Sequence, residues 1–107
     1  MRGVELFNQR RFFECHEVWE EVWKPSEGET RRLYQGLIQA AAALHHAGRG
    51  NRAGALSLWS KAKVKLELSP SQHRGLSIAD LRADLKNYFK SERFVAPPRL
   101  KPVNAAK

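Results

Sequence analysis

The sequence has very little cysteine, and this scarcity excludes two kinds of structure. Cys15 is the single cysteine among 107 residues. One thiol cannot form a disulfide within the chain, and it cannot build a zinc cluster of several thiolates. Cys15 stands beside bulky apolar residues and is expected to belong to the core.

A long hydrophobic run is also missing. The longest continuous apolar stretch, Ala40 to Leu44, falls far short of the roughly 20 residues that a membrane-spanning helix requires. The start of the chain contains an early acid, Glu5, and lacks the apolar stretch of roughly 7 to 15 residues that is typical of a secretion signal. We therefore expect a cytoplasmic protein with no membrane partner.

Acidic residues are scarce after the first third of the chain. Residues 1–30 contain seven acidic and four basic side chains, whereas residues 31–107 contain four acidic and fifteen basic ones, and the formal net charge is +8. A basic region raises affinity for polyanions in a salt-dependent way, without sequence preference. The charge therefore suggests nucleic acid or an acidic protein as a partner, although lysine and arginine also serve simply to solvate helix surfaces.

The sequence does contain clear helical periodicity, and no strand pattern accompanies it. The third predicted helix is rich in alanine and apolar on almost every side, which is typical of a central helix. The fold class predicted from these features is all-α, a compact bundle of about five helices. The predicted helices are residues 4–9, Phe12–Trp23, about Glu29–His46, a fourth from the cap Asn51 to before Pro70, and a fifth from the cap Ser77 to about Ser91.

The chain length fits one domain with a single modest core. We assign residues 1–91 to the helical bundle and residues 92–107 to a basic C-terminal tail. The tail holds three prolines and four basic residues with little periodicity. It is expected either to drape over the bundle or to stay mobile.

Two helices carry polar residues inside otherwise apolar surroundings. On the second helix, His16 and Glu20 lie one turn apart between aromatic residues. On the third helix, Gln35, Gln39 and His46 align on one face, because spacings of 4, 7 and 11 residues return to the same side. Unpaired polar groups in a core cost about 1–3 kcal/mol each. The two sets are therefore expected to face each other as one buried polar cluster.

Three interpretations fit the polar cluster, which is defined here as His16, Glu20, Gln35, Gln39 and His46. In the first, its members form a structural hydrogen-bond network that fixes the register of the helices. In the second, the cluster lines a pocket for a small polar ligand, with Trp19, Trp23 and Tyr34 as walls. The third interpretation is a metal site.

A divalent metal could be held by His16, Glu20 and His46, because imidazole and carboxylate one turn apart can converge on one ion. His45 is a possible substitute for His46, although it is expected on a different side of the helix. Gln35 and Gln39 would then orient the ligands.

A hydrolase is the enzyme that this metal site would suggest. The stretch His16-Glu17-Val18-Trp19-Glu20 is similar to the His-Glu-x-x-His pattern of zinc hydrolases, with glutamate in place of the second histidine. Glu17 would occupy the position of the general base, but the helical spacing points it outward. We therefore expect a protein that is not an enzyme, and a metal-dependent hydrolase if it is one.

A set of short motifs runs through the first two thirds of the chain: Asn8, Phe12-Phe13-Glu14, His16-Glu17, Glu20, Trp23, Gln35-Gly36-Leu37-Ile38-Gln39, His45-His46, Gly50-Asn51 and Gly54-Ala55. In these motifs the chain resembles a known family, the bacterial and archaeal helical proteins called domain of unknown function 309. The resemblance covers roughly residues 5–68, and it implies a helical bundle with no established activity, cofactor or substrate. Cys15 stands where alanine is expected in this family, and Trp19 where leucine is more usual.

The sequence therefore favours an uncharacterised small helical protein that binds a divalent metal or a small polar ligand at the polar cluster. The alternative is an interaction module that contacts nucleic acid or an acidic protein through its basic surface, with a purely structural cluster. The three tryptophans and five phenylalanines in so short a chain also suggest a homodimer.

Overall fold

The fold was analysed from a computed structural model, which describes residues 2–94 and 96–103. It confirms the predicted all-α bundle, in which helices supply the main elements and a two-stranded hairpin is the only sheet among the described residues. The elements in chain order are α1 (Arg2–Asn8), α2 (Phe12–Trp23), α3 (Gly28–Gly48), α4 (Arg52–Glu67), β1 (Gln72–His73), β2 (Leu76–Ser77) and α5 (Ile78–Lys90).

Two of the helices begin at the side-chain caps that the sequence predicts. The Asn51 side chain accepts a hydrogen bond from the backbone N–H of Gly54 at 3.0 Å, and the Ser77 hydroxyl accepts one from that of Asp80 at 3.1 Å. These bonds satisfy amide groups that the first turn of a helix leaves without an intrahelical partner. They fix where α4 and α5 start.

Helix α3 is central, as its composition predicts. It packs against α2 on one side and against α4 on the other, and its small residues let α4 come close. A Cβ added at Gly36 would lie 3.1 Å from both Leu66 Cδ2 and Lys65 Cβ. Gly36 therefore sets the spacing between α3 and α4.

A short β-hairpin between α4 and α5 departs from the prediction of helices without strands. His73 pairs with Leu76, and the two-residue turn at Arg74 and Gly75 has φ values of 50° and 80°. Two successive left-handed residues make the turn that best fits the twist of a two-residue hairpin. Strands of two residues are too short to show alternation, so the sequence carried no strand signal.

The described part of the tail, residues 96–103, lies against the bundle. The Asn8 amide donates to the Leu100 carbonyl oxygen at 3.0 Å and accepts from the Leu100 N–H at 2.7 Å. The Ser77 N–H donates to the Lys101 carbonyl at 2.8 Å, and the Leu100 side chain is buried. The tail thus ties α1 to the hairpin. Val95 and residues 104–107 of the predicted tail are outside the described residues.

None of the helices in the described part of the chain combines the length and the hydropathy needed to cross a bilayer.

Candidate ligand-binding groove

Helices α2 and α3 lie side by side and bring four of the five predicted polar residues together. His16 and Glu20 come from α2, and Gln35 and Gln39 come from α3. They line a cavity of about 220 Å³. We call this cavity the polar groove; it is formed by His16, Glu20, Trp23, Gln35, Ile38 and Gln39.

The polar groove lies at the surface, which corrects the prediction of a buried polar cluster. The side chains of His16 and Glu20 are 31% and 36% exposed. The buried face of α2 consists of Phe12, Cys15 and Trp19. His16 and Glu20 lie at the edge of that face, where α2 and α3 meet the solvent. A carboxylate at the rim keeps part of its hydration, which avoids the large cost of burying a charge.

The polar groove contains few hydrogen bonds between its own side chains. His16 Nε2 lies 3.3 Å from Glu20 Oε2, and among the described residues this is the only polar side-chain contact that joins two members of the polar cluster. His16 Nδ1, Trp23 Nε1 and Gln39 Oε1 are buried and have no partner among the described protein atoms. The predicted structural network is therefore not formed here.

His46 lies away from the polar groove, contrary to the prediction. It is seven residues beyond Gln39, which along a helix corresponds to about 10 Å. There His46 Nδ1 lies 3.2 Å from the Asn51 side-chain nitrogen at the end of α3. The predicted stripe therefore extends beyond the polar groove, and His46 shares a neighbouring cavity with His16 but not with Glu20.

His45 and His46 line a second cavity together with His16, and as adjacent residues of α3 they point about 100° apart. This cavity, of about 310 Å³, is lined by Phe12, Phe13, His16, Ala42, His45 and His46. The His45 ring lies 5.9 Å from that of Phe13. Partial burial, with the nearby positive charge of Arg49 as a further cause, lowers the pKa of His45.

The predicted metal set is not assembled. The described residues include no group of three or more His, Cys, Asp or Glu side chains placed to hold one ion. His16 and Glu20 form a pair, and neither His46 nor the substitute His45 completes it. Glu17 is exposed on the outer face of α2, as its spacing predicts, so a general base at this position would face solvent.

The ligand-pocket interpretation predicted Tyr34 as a wall of the groove, but Tyr34 does not line it. It is buried, and its hydroxyl lies 3.1 Å from His73 Nε2 in the hairpin, with the two rings at a T-shaped angle. Tyr34 and His73 therefore join α3 to the hairpin. Trp19 is 1% exposed and packs in the core, so Trp23 alone supplies the predicted aromatic wall.

Comparison with known proteins places these helices in a family. The model of the family described as Domain of unknown function (DUF309) matches residues 1–58, which is more than half of the chain. The chain belongs to this family. The resemblance seen in the sequence motifs is thereby confirmed.

Two relatives cover most of the chain, and both are uncharacterised. An "Uncharacterized protein" of Aquifex aeolicus (strain VF5) is 32% identical over 96 residues, covering 89% of this chain and 29% of the relative. "Uncharacterized protein YpuF" of Bacillus subtilis (strain 168) is 39% identical over 82 residues, covering 76% of this chain and 44% of YpuF. The chain thus spans less than half the length of either relative.

The DUF309 match includes both walls of the polar groove. It runs from α1 into α4 and ends before the hairpin, α5 and the tail. Every residue of the polar cluster therefore lies within the family region.

Arg31 is a residue of the DUF309 region whose role the sequence did not reveal. Its guanidinium lies 3.9 Å from the centre of the Trp23 ring, and it donates to the carbonyl oxygens of Trp23, Lys24 and Ser26 at 3.2–3.3 Å. These bonds satisfy carbonyls at the end of α2 and fix the Trp23 ring from its outer side. Sequence reasoning did not predict these contacts, because the fold of the connecting turn was not foreseen.

Proposed function

We propose that the polar groove binds a small polar molecule and that the protein is a ligand-binding bundle. The observation that carries the proposal is the concentration of unsatisfied polar atoms in this groove. His16 Nδ1, Trp23 Nε1 and Gln39 Oε1 are three of the four buried side-chain polar atoms that lack a partner among the described residues. Each such group costs about 1–3 kcal/mol when it stays unpaired. A molecule with matching donors and acceptors removes that cost.

The lining of the groove indicates the chemistry of the molecule. The Glu20 carboxylate accepts hydrogen bonds, the amides of Gln35 and Gln39 both donate and accept, and the Trp23 indole donates. Ile38 and the Trp23 ring add apolar surface. A cavity of about 220 Å³ is smaller than the roughly 300–1,000 Å³ of sites for drug-sized ligands. The groove therefore suits a small ligand that presents hydrogen-bond donors to Glu20.

A thermal-shift experiment with paired variants tests the proposal. Untagged protein, free of tag histidines that bind metals, is melted with acetamide, N-methylurea, imidazole and methylammonium, and separately with Zn²⁺ and Mn²⁺. We expect at least one organic probe to raise the melting temperature of the wild type, because a ligand that binds only the folded state stabilises it. We expect Glu20→Gln to abolish this shift.

Glu17→Gln is the matched control, since Glu17 is on the same helix but faces solvent. It should leave the shift unchanged. Glu20→Gln itself should change the free energy of unfolding by about 1 kcal/mol or less, because a half-exposed histidine–glutamate pair contributes little. Equal ligand responses in the wild type and Glu20→Gln would contradict the proposal. A shift with metal alone, lost in Glu20→Gln, would replace the small molecule by a divalent ion.

Polyanion binding is a second candidate, supported by the lysines of α4. Lys61, Lys63 and Lys65 form no ion pair with a carboxylate in the described part of the chain. Their charges are therefore available to a phosphate backbone or an acidic protein. On this alternative, a fluorescent single-stranded oligonucleotide binds the wild type in low salt, and reversal of all three lysines to glutamate removes binding. Unchanged affinity after charge reversal would exclude this surface.

A further inference from the structure

A third cavity lies at the end of α3, shares Phe12 and His45 with the second cavity, and has no residue in common with the polar groove. It has a volume of about 330 Å³ and is built from the turn between α1 and α2, the end of α3, α5 and the segment after α5. Its lining residues are Arg10, Phe12, Leu44, His45, Gly48, Arg49, Tyr88, Phe94 and Pro97. No acidic residue is among the described side chains that line it. We call it the basic pocket.

Two arginines supply the charge of the basic pocket. Neither Arg10 nor Arg49 forms an ion pair with a carboxylate of the described residues. Partial burial lowers the pKa of His45 and the charge of Arg49 lowers it further, whereas burial raises the pKa of Tyr88 and the charge of Arg10 partly offsets that rise. Two unpaired guanidinium groups beside one cavity are a typical arrangement for holding a carboxylate or a phosphate.

The backbone at Arg10 places that side chain at the end of α1. Arg10 has φ of 63°, in the left-handed region that commonly ends a helix. The N–H groups of Arg10 and Arg11 donate to the carbonyl oxygens of Phe7 and Leu6 at 3.0 and 2.9 Å, which satisfies the last carbonyls of α1. From this position the Arg10 side chain lines the pocket.

The apolar wall of the pocket is already in place. The Phe94 ring stacks on Tyr88 with centroids 5.0 Å apart, and the Arg52 guanidinium covers Phe94 at 4.4 Å. Arg52 is itself held by the carbonyls of Ser91 and Glu92 at 3.1 and 3.0 Å. A preformed aromatic wall lowers the entropic cost of binding a flat ligand.

The negative C-terminal end of the α3 dipole does not cancel the positive charge of Arg10 and Arg49. Carbonyl oxygens of the last turn of α3 accept hydrogen bonds from the backbone N–H groups of Arg49, Gly50 and Asn51, at 2.9–3.2 Å. These bonds occupy the groups that carry the negative end of a helix. The side chains therefore decide the sign of the potential in the pocket.

We propose that the basic pocket binds a small organic anion with a flat apolar body. The carboxylate or phosphate of the ligand lies against Arg10 and Arg49, and its ring lies against Phe12, Phe94 and Leu44. The basic pocket shares no lining residue with the polar groove, so its ligand binding is tested independently of the proposed function.

The test is a titration of ¹⁵N-labelled protein followed by amide chemical shifts. The probes are phenyl phosphate and benzoate, which combine charge and ring, inorganic phosphate, which lacks the ring, and benzyl alcohol, which lacks the charge. We expect saturable shifts around Leu44, Gly48, Arg49 and Phe94 with at least one aromatic anion, at a Kd of about 1 mM or tighter. The other two probes should bind more weakly.

Paired variants complete the test. Arg10→Asn with Arg49→Gln removes both charges, and asparagine tolerates the left-handed backbone. Affinity should fall by about tenfold or more, because two charge-assisted hydrogen bonds are lost. Arg74→Asn is the matched control for Arg10→Asn: Arg74 has φ of 50° and the change removes one arginine charge, but Arg74 lies in the hairpin turn. It should bind like the wild type, as should Glu20→Gln.

Three results would overturn the proposal. They are an absence of saturable shifts with either aromatic anion, equal binding of benzyl alcohol, and equal loss of affinity in Arg74→Asn and in the double variant. The first would leave the pocket without a ligand of this class. The second would show that the pocket binds apolar molecules without regard to charge. The third would show that anions are attracted by the net positive charge of the protein and not by Arg10 and Arg49.

Discussion

Replacement of Trp19 by alanine is expected to lower the free energy of unfolding by about 3–5 kcal/mol, the range for removing a buried tryptophan. Trp19 is 1% exposed, and its indole lies 5.7 Å from the Phe7 ring. The indole also contacts the backbone of Gly3, so closely that a Cβ added there would clash with the ring. One side chain thus holds α1 against α2, and the neighbours cannot close the void without moving α1.

Urea denaturation monitored by circular dichroism measures this effect. Phe13→Ala is the matched control, since Phe13 is on the same helix but 57% exposed. That change should shift the free energy by no more than about 0.5 kcal/mol, as is usual for surface positions. If Trp19→Ala does not accumulate as folded protein, Trp19→Phe is measured instead, and it should lower the free energy of unfolding by a smaller amount. Similar losses for Trp19→Ala and Phe13→Ala would contradict the packing described here.

Replacement of Leu66 by alanine is expected to cost about 2–5 kcal/mol, the range for a buried leucine. Leu66 is fully buried, at 0% exposed, and lies against Gly36 at the close approach of α3 and α4. Its carbonyl oxygen also accepts a hydrogen bond from Arg82 of α5 at 2.8 Å. The side chain and the backbone of this residue therefore connect three helices.

Leu68→Ala is the control for this prediction, because Leu68 has the same chemistry two residues further along and is 61% exposed. It should change the unfolding free energy by no more than about 0.5 kcal/mol. Chemical denaturation of both variants under identical conditions gives the comparison. A loss below about 1 kcal/mol in Leu66→Ala would show that the α3–α4 interface is not packed as described.

The helices and their capped starts were predictable because they depend on local chemistry. Asn51 and Ser77 are caps for reasons that a few neighbouring residues decide. The hairpin was not predictable, because its two-residue strands show no alternation and its turn uses Arg74, an uncommon residue at positive φ. The position of Leu100 was equally hidden, since it depends on Asn8 at the other end of the chain.

The sequence predicted four of the residues that line the polar groove, but it did not predict that the groove lies at the surface. Helical spacing correctly placed His16 with Glu20 and Gln35 with Gln39, because one helix face is a local property. Whether that face is buried depends on how far α2 rotates toward α3, and spacing alone does not fix this rotation. The burial of Trp19 turned His16 and Glu20 to the rim.

The basic pocket shows where sequence reasoning ends. Arg10, Arg49 and Tyr88 come from three separate parts of the chain, and no spacing rule relates them. Only the tertiary fold brings them together around one cavity. Composition showed that residues 31–107 are basic, but it did not indicate where an anion would bind.

The central claim, that the polar groove binds a small polar molecule, is tested most directly by side-chain NMR. Protein labelled with ¹⁵N is titrated with the organic probe that gives the largest thermal shift, while the signals of the Trp23 indole and the Gln39 amide are followed. Both signals should move and saturate together, and the Trp59 indole, which lies on α4 outside the groove, should not. No saturable change at Trp23 and Gln39, or an equal change at Trp59, would contradict the account.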